Sequence, residues 1–271
     1  MRSISTLLFQ AFLCAALSCP LYVAANEIPR TADGKPDFNG IWQTIDSHYF
    51  DIEPHLGAQS SIRSAGALGA VRPGLGAVIG GKIPYLPAAR AKQLENFQDR
   101  HTKDPAIKCY MPGVPRANYM PYPLQIVQIP DHLFIAYEFG QASRTLYIDQ
   151  PDFEAPVDTW MGHSLARWEG DTLVVDVTSQ VAETWLDRAG NHHSANLHVE
   201  ERYDLQSPYH LRYRATMTDP DVYEQPWTLE VVLYKNVHPA AQLLDFRCIE
   251  FVEELMYGHL SKGADSKGAT P

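Results

Sequence analysis

The sequence predicts a mostly β protein, a single antiparallel β-barrel or sandwich with one short helix and long loops. Three observations predict it. Short runs rich in Val, Ile, Leu, Tyr and Thr recur along residues 124–250 with turn residues between them. Several of these runs alternate apolar and polar residues, the period of a strand with one buried face. One stretch alone, Pro87 to about residue 100, has the composition of a helix, and no repeat or linker divides the chain.

The first residues read as a secretory signal. Met1 and Arg2 precede an uncharged segment from Leu7 to Ala25, which ends in the small residues Val23-Ala24-Ala25. Cleavage near Ala25 is expected, which places the protein in the periplasm or outside the cell. Ser18 and Pro20 interrupt the apolar run, so no stable membrane span is expected in the mature protein. A lipid anchor at Cys19 is the alternative, on a poor lipobox. Residues 26–271 then form one β-rich domain. Without Arg2 the net charge of −10 becomes −11. With no run of Lys or Arg against it, nucleic acid and anionic membrane surfaces are poor partners. Of four cysteines, Cys14 and Cys19 leave with the signal. Cys109 and Cys248 remain and are expected to form a disulfide closing a loop of about 140 residues, worth roughly 4–5 kcal/mol by loop entropy. Two separate buried thiols are the alternative.

The elements follow in order. Asp33-Gly34-Lys35-Pro36-Asp37 is a turn, and Gly40 to Gln43 a first short strand. Residues 55–86 are rich in Gly, Ala and Ser without a period, and read as a loop or lid, with disorder as the alternative. Pro87 opens the helix at its first position. Strands are then expected at Leu124–Ile129, His132–Glu138, Arg144–Asp149, Ser164–Trp168, Thr172–Val177, Leu197–Asp204, His210–Met217, Trp227–Tyr234 and Leu243–Glu250. Such a series suits a lipocalin-like barrel or a sandwich.

Candidate functional residues cluster in three places. In Gly162 to Asp176, the Glu169-Gly170-Asp171 end is a hairpin turn. His163 and Arg167 share a strand face and are candidates for lining a site. Gly162-His-Ser-Leu-Ala166 is close to a nucleophile elbow, but strand follows strand here and an elbow needs a strand-to-helix turn. The second cluster is Thr184 to Arg202, with Trp185, Asp187 and His193 in a loop and Glu201 on the apolar face of a strand. A carboxylate on that face is either paired or raised in pKa, and Arg144 and Arg214 are candidate partners. His192, His193 and His198 with a carboxylate are chemically able to bind zinc or iron, but their spacing matches no metal motif. The third cluster is the loop with Tyr223 and Trp227, aromatics able to line a pocket or to pack on the barrel end.

Motifs in fixed order carry a resemblance. They are Thr31-Ala-Asp-Gly-Lys-Pro-Asp37 with Gly40-Ile-Trp42, Cys109 with Pro112-Gly-Val-Pro-Arg116, Trp160-Met-Gly-His-Ser164, Trp168-Glu-Gly-Asp-Thr-Leu-Val-Val-Asp176, Thr184-Trp-Leu-Asp187, His193-Ser194, Glu201-Arg202, Asp219-Pro220 and Pro226-Trp227. Over nearly the whole mature chain the sequence resembles a large family of uncharacterised secreted bacterial proteins. The resemblance implies a shared fold and a shared pocket, and no named reaction. The chain departs from the family pattern at Asp149-Gln-Pro-Asp152, where Asp-Gly-Arg is the rule, so that loop lacks an arginine for an anionic substrate.

These readings converge on an enzyme without an organic cofactor, acting on a small organic substrate as a lyase, isomerase or hydrolase. His193, Glu201, His163 and Asp187 are the candidate acids and bases. Arg167, Trp185, Tyr223 and Trp227 are the candidate substrate contacts. A periplasmic small-molecule carrier and an accessory factor of a secreted complex are the alternatives. Oligomeric state is not readable from the sequence.

Overall fold

The computed structural model describes residues 27–58, 70–252 and 255. The expected signal segment, residues 59–69 of the expected lid and the last residues of the chain lie outside them. Nine strands close into one barrel in chain order. They are β1 (Gly40–Gln43), β2 (Leu124–Ile129), β3 (His132–Tyr137), β4 (Ser143–Ile148), β5 (His163–Glu169), β6 (Thr172–Thr178), β7 (His198–Ser207), β8 (His210–Thr218) and β9 (Trp227–Lys235). Closure resolves barrel against sandwich.

One pairing departs from the antiparallel expectation. β4 and β5 are parallel, with Leu146 opposite Ser164 and Ile148 opposite Ala166. Ring parity accounts for it: strands that alternate up and down around a closed ring must be even in number. With nine, one neighbouring pair must run the same way, and residues 149–162 carry the chain back across the barrel to make it. The expected strand Leu243–Glu250 is also corrected, since that segment is irregular. The ring is already closed by β1 on β9, so no full-length strand edge remains for a tenth strand. Two residues of this segment are anchored elsewhere. Phe246 packs on Tyr122 and Phe139, each with centroids 5.1 Å away, and Cys248 joins Cys109 in the expected disulfide.

The period-2 alternation sorts the walls. Leu133, Ile135, Leu146, Val175, Val199, Leu211 and Leu229 are among the buried inward residues. The outer wall of β5–β9 carries Arg167 paired with Asp176, Arg202 with Glu169, Arg212 with Asp204, and Arg214 with Glu230. A charged exterior is the inverse of the apolar band a membrane barrel presents to lipid. Among the described residues no helix is long and apolar enough to cross a membrane.

The β5–β6 hairpin turns through Gly170 and Asp171, with Glu169 opposite Thr172. Gly170 has φ +63°, where a side chain is disfavoured. Helix α1 (Pro87–Gln98) starts on its proline and is followed by a single turn, α2 (Arg100–Lys103). α1 docks with polar groups: Gln93 donates to the Ala189 carbonyl at 2.6 Å and Asn96 to that of Gly190 at 3.2 Å. The helix thereby fixes the loop that carries Asp187.

The seam between β1 and β9 matters most for the site. β1 has four residues and covers β9 only at Tyr234 and Lys235. At the other end of β9, lid residues 77–79 take over the same edge. Ile79 N–H donates to the Thr228 carbonyl and Glu230 N–H to that of Ala77, both at 2.9 Å. Between these two fillers a shallow depression opens, lined by Ile45, Asp46, His48, Glu230, Val232 and Tyr234.

Candidate active site

Two sets of titratable groups each place one aspartate within electrostatic reach of one tyrosine. Tyr119 ends the 3-10 turn Arg116–Tyr119 and is fully buried. Its hydroxyl donates to the Leu186 carbonyl at 2.8 Å. Burial raises its pKa well above the ordinary value; Asp187 adds to the rise, and Arg116, Asp46 and Tyr85 also act on it.

The open set is Asp46 and His48. They leave β1 on a tight turn in which the Asp46 carboxylate accepts the His48 N–H at 2.9 Å. Asp46 Oδ2 stands 3.5 Å from His48 Nε2, an ion-pair distance rather than a good hydrogen bond. Burial raises the Asp46 pKa and lowers that of His48, and in each case the partner's charge opposes the shift. Both groups therefore move toward neutrality.

The closed set is Asp51 and Asp187. Asp187 is fully buried and takes three donors: Ile52 N–H at 2.9 Å, Asn191 N–H at 3.2 Å and the Asn191 amide at 2.6 Å. The half-buried Asp51 stands within electrostatic reach of Asp187, and its carboxylate accepts the Glu53 N–H at 2.9 Å. Tyr85 donates its hydroxyl to Asn191 Oδ1 at 3.1 Å, which fixes the amide's orientation. Burial, then the neighbouring carboxyl of Asp51, pushes Asp187 up to about 7. Burial pushes Asp51 up to about 6.

The residues singled out by sequence lie in four separate places. Glu201 is fully buried inside the barrel, ion-paired to Arg144. Its Oε1 also accepts from Asn118 at 3.0 Å, Tyr203 at 3.0 Å and Tyr213 at 2.7 Å. It is thus paired as the sequence required, by Arg144 and not Arg214, which bonds Glu230 outside. Asn118 neighbours Tyr119 in the turn Arg116–Tyr119, which links this network to the Leu186 carbonyl that Tyr119 bonds.

His193 is buried in the loop between β6 and β7. Its Nδ1 lies 2.7 Å from the Ser194 carbonyl, and its Nε2 lies 2.6 Å from Thr184 Oγ1 and 3.2 Å from Gln180 Nε2. A carbonyl only accepts, so Nδ1 carries the proton and Nε2 accepts. Burial lowers the His193 pKa, in keeping with that neutral form. His163 and Arg167 are on the outer wall. His163 Nε2 bonds the Phe153 carbonyl at 2.7 Å with its ring against Phe153 and Tyr147. Arg167 reaches Glu169 and Asp176. Trp185 is buried, paired through its backbone with His192. Tyr223 and Trp227 pack edge to face in the core, and Tyr223 donates to the His192 carbonyl at 2.7 Å. His192 bonds the Ala89 carbonyl and His198 bonds Asp176 outside, so the three histidines do not converge. No group of three His, Cys, Asp or Glu among the described residues is placed to hold a metal ion.

Sequence reasoning passed over Asp46, His48, Asp51 and Asn191. A signal was present: Asp46-Ser-His48 and Asp51-Ile-Glu53-Pro-His55 set acids and histidines two residues apart, directly after a strand. The site these groups define is that of a closed barrel with a carboxylate-rich mouth. No family model matches the chain. Nor does any curated protein.

Proposed function

We propose that the chain is a secreted enzyme that moves protons on a small organic substrate, with His48 and Asp46 as base and acid. The observation that carries this reading is the Asp46–His48 pair lining an open depression at the barrel seam. A carboxyl raised by burial beside an imidazole lowered by burial brings the proton affinities of an acid and a base toward each other. Isomerase, lyase and hydrolase steps all use such a pair, and none of them requires an organic cofactor. The expected signal segment and the Cys109–Cys248 disulfide support action outside the cytoplasm. An interior carrier site is less well supported. Arg144, Glu201, Tyr137, Tyr203 and Tyr213 fill the barrel at one level and bond one another or Asn118.

The test is turnover. The mature protein is screened by proton NMR against small amides, esters and hydroxy carbonyl compounds. For a substrate so found, Asp46→Asn and His48→Gln each lower kcat by about 10²–10⁴-fold, the usual contribution of a positioned acid or base. The wild-type profile of kcat/KM against pH is bell-shaped. Full turnover in both variants sinks the assignment.

A further inference from the structure

The seam that holds Asp46 and His48 also holds an uncovered piece of strand edge. Backbone groups of successive strand residues point to alternate sides. On β9 the Thr228 carbonyl and the Glu230 N–H point to the seam, where residues 77–79 of the lid bond them. Tyr234 points to the same side, opposite Gln43 of β1, and so does Asn236, whose N–H donates to the Ile41 carbonyl at 2.8 Å. Val232 lies between, in step with them, so its N–H and C=O face the seam as well. Among the described residues neither β1 nor the lid pairs with it. Val232, Asp46 and His48 line the same depression.

We propose that this gap is a slot for one residue of an extended, peptide-like substrate, whose N–H and C=O pair with the Val232 C=O and N–H beside Asp46 and His48. The molecule supplies its own precedent one step along the edge. There residues 77–79 offer an extended peptide to Thr228 and Glu230 and are bound by one donor and one acceptor. An amide ligand at Val232 continues that pairing between the lid and β1, which is strand addition limited to one residue. Ile45 is 74% exposed and Tyr234 38%, so the slot has two apolar flanks for the side chains or alkyl groups on either side of the amide. A residue with its N–H and C=O on one edge satisfies both groups of Val232; with an ester oxygen in place of that N–H, the Val232 carbonyl has no donor.

The inference rests on the proposed function for the role of Asp46 and His48, and it can fail separately. The probes are N-acetyl-leucine N-methylamide and its ester analogue with oxygen in place of the leucine N–H, 2-acetoxy-4-methylpentanoic acid N-methylamide, titrated into nitrogen-15-labelled mature protein. The amide is expected to shift the backbone signals of Val232, Ile45 and Tyr234 most, and to bind at least ten-fold more tightly than the ester. Val232→Pro removes the seam N–H on an edge where proline is tolerated. It is expected to weaken the amide at least ten-fold, while Val232→Ala stays within two-fold of wild type. Should the proline variant not fold, the wild-type shift map and the amide-to-ester ratio decide. Shifts centred elsewhere, equal binding of ester and amide, or no binding of either overturns the slot. Asp46→Asn and His48→Gln keep amide binding if the slot is real. If they also keep turnover, the acid–base reading falls and the slot stands.

Discussion

Asp187 is fully buried, bonded to Asn191 and within electrostatic reach of Asp51, and part of the fold's pH response follows from that arrangement. Asp187 receives three N–H donors, yet burial and Asp51 outweigh them and its pKa rises to about 7. In the unfolded chain an aspartate titrates near 4, so between about pH 4 and 7 the native state binds the extra proton. The stability this contributes is full below pH 4 and is lost as pH rises through 7. Asp51, pushed up to about 6, slopes the same way over a narrower range. His48 and His193 are held neutral by burial and slope oppositely, losing stability as pH falls below their unfolded value. The informative quantity is therefore the difference between variant and wild type. Asp187→Asn is expected to lose more melting temperature at pH 5 than at pH 8, and a pH-independent difference would refute the pairing. Glu201 behaves differently, because it is matched by Arg144. Removing one partner of a buried pair strands the other charge, which costs about 3–5 kcal/mol, whereas replacing both by apolar residues is often tolerated. Glu201→Leu is thus expected to be much less stable than Glu201→Leu with Arg144→Met, as read from urea midpoints.

The lid segment 77–79 completes the barrel edge, and its entry is set by one glycine. Gly76 has φ +78°, and a Cβ there would lie 2.6 Å from the Pro54 nitrogen. Gly76→Ala therefore meets both a strained backbone and a clash with main chain, and is expected to cost about 1–3 kcal/mol. The loss should be local as well as global. Hydrogen exchange at Ile79 and Glu230, whose N–H groups make the seam bonds, is expected to quicken more than exchange at Leu211 on β8. Unchanged exchange at those two amides would mean that the lid does not hold the seam. The strands themselves were legible because alternation is local: Leu124–Ile129 appears at its expected bounds, and His198–Ser207 starts one residue after expectation. The parallel β4–β5 step was not legible, since register across residues 149–162 depends on ring closure rather than on those residues. Leu243–Glu250 misled for the converse reason, as Phe246 anchors an irregular strap on Tyr122 and Phe139 while Leu244 and Ile249 stay exposed. The candidate site was half legible. Asp187 and the buried pairing of Glu201 follow from carboxylates in apolar company. Asp46 and His48 become a site only when β1 and β9 diverge, and that seam joins residues some 190 positions apart.

At the scale of the whole molecule, the barrel and the C-terminal strap are held by different means, and this separates their responses to reduction. The barrel closes through the β1–β9 pairing and the lid, without a covalent link. Residues 236–252 instead lie across the outside. Leu244 N–H donates to Glu138 at 2.8 Å, Phe246 packs on Tyr122 and Phe139, Phe251 N–H donates to the Ile107 carbonyl at 2.9 Å, and Cys248 is bonded to Cys109. The crosslink spans a sequence separation of 139 residues, for which chain entropy sets an upper value of about 5 kcal/mol on global stability. The turn that carries Cys109 has a second anchor. Asp104 caps it through the Ala106 N–H at 2.9 Å and grips Arg116 with two bonds of 2.8 Å. Arg116 begins the turn that ends at Tyr119, so the mouth of the barrel stays fixed without the disulfide. The double variant Cys109→Ser, Cys248→Ser is expected to unfold at lower urea, and to be cut by protease first within residues 236–252. Its backbone signals at Tyr119 and Asp187 should match those of wild type. Strap and mouth signals moving together would show instead that the disulfide holds the candidate site in shape, and would make the thiol state of the compartment a determinant of activity.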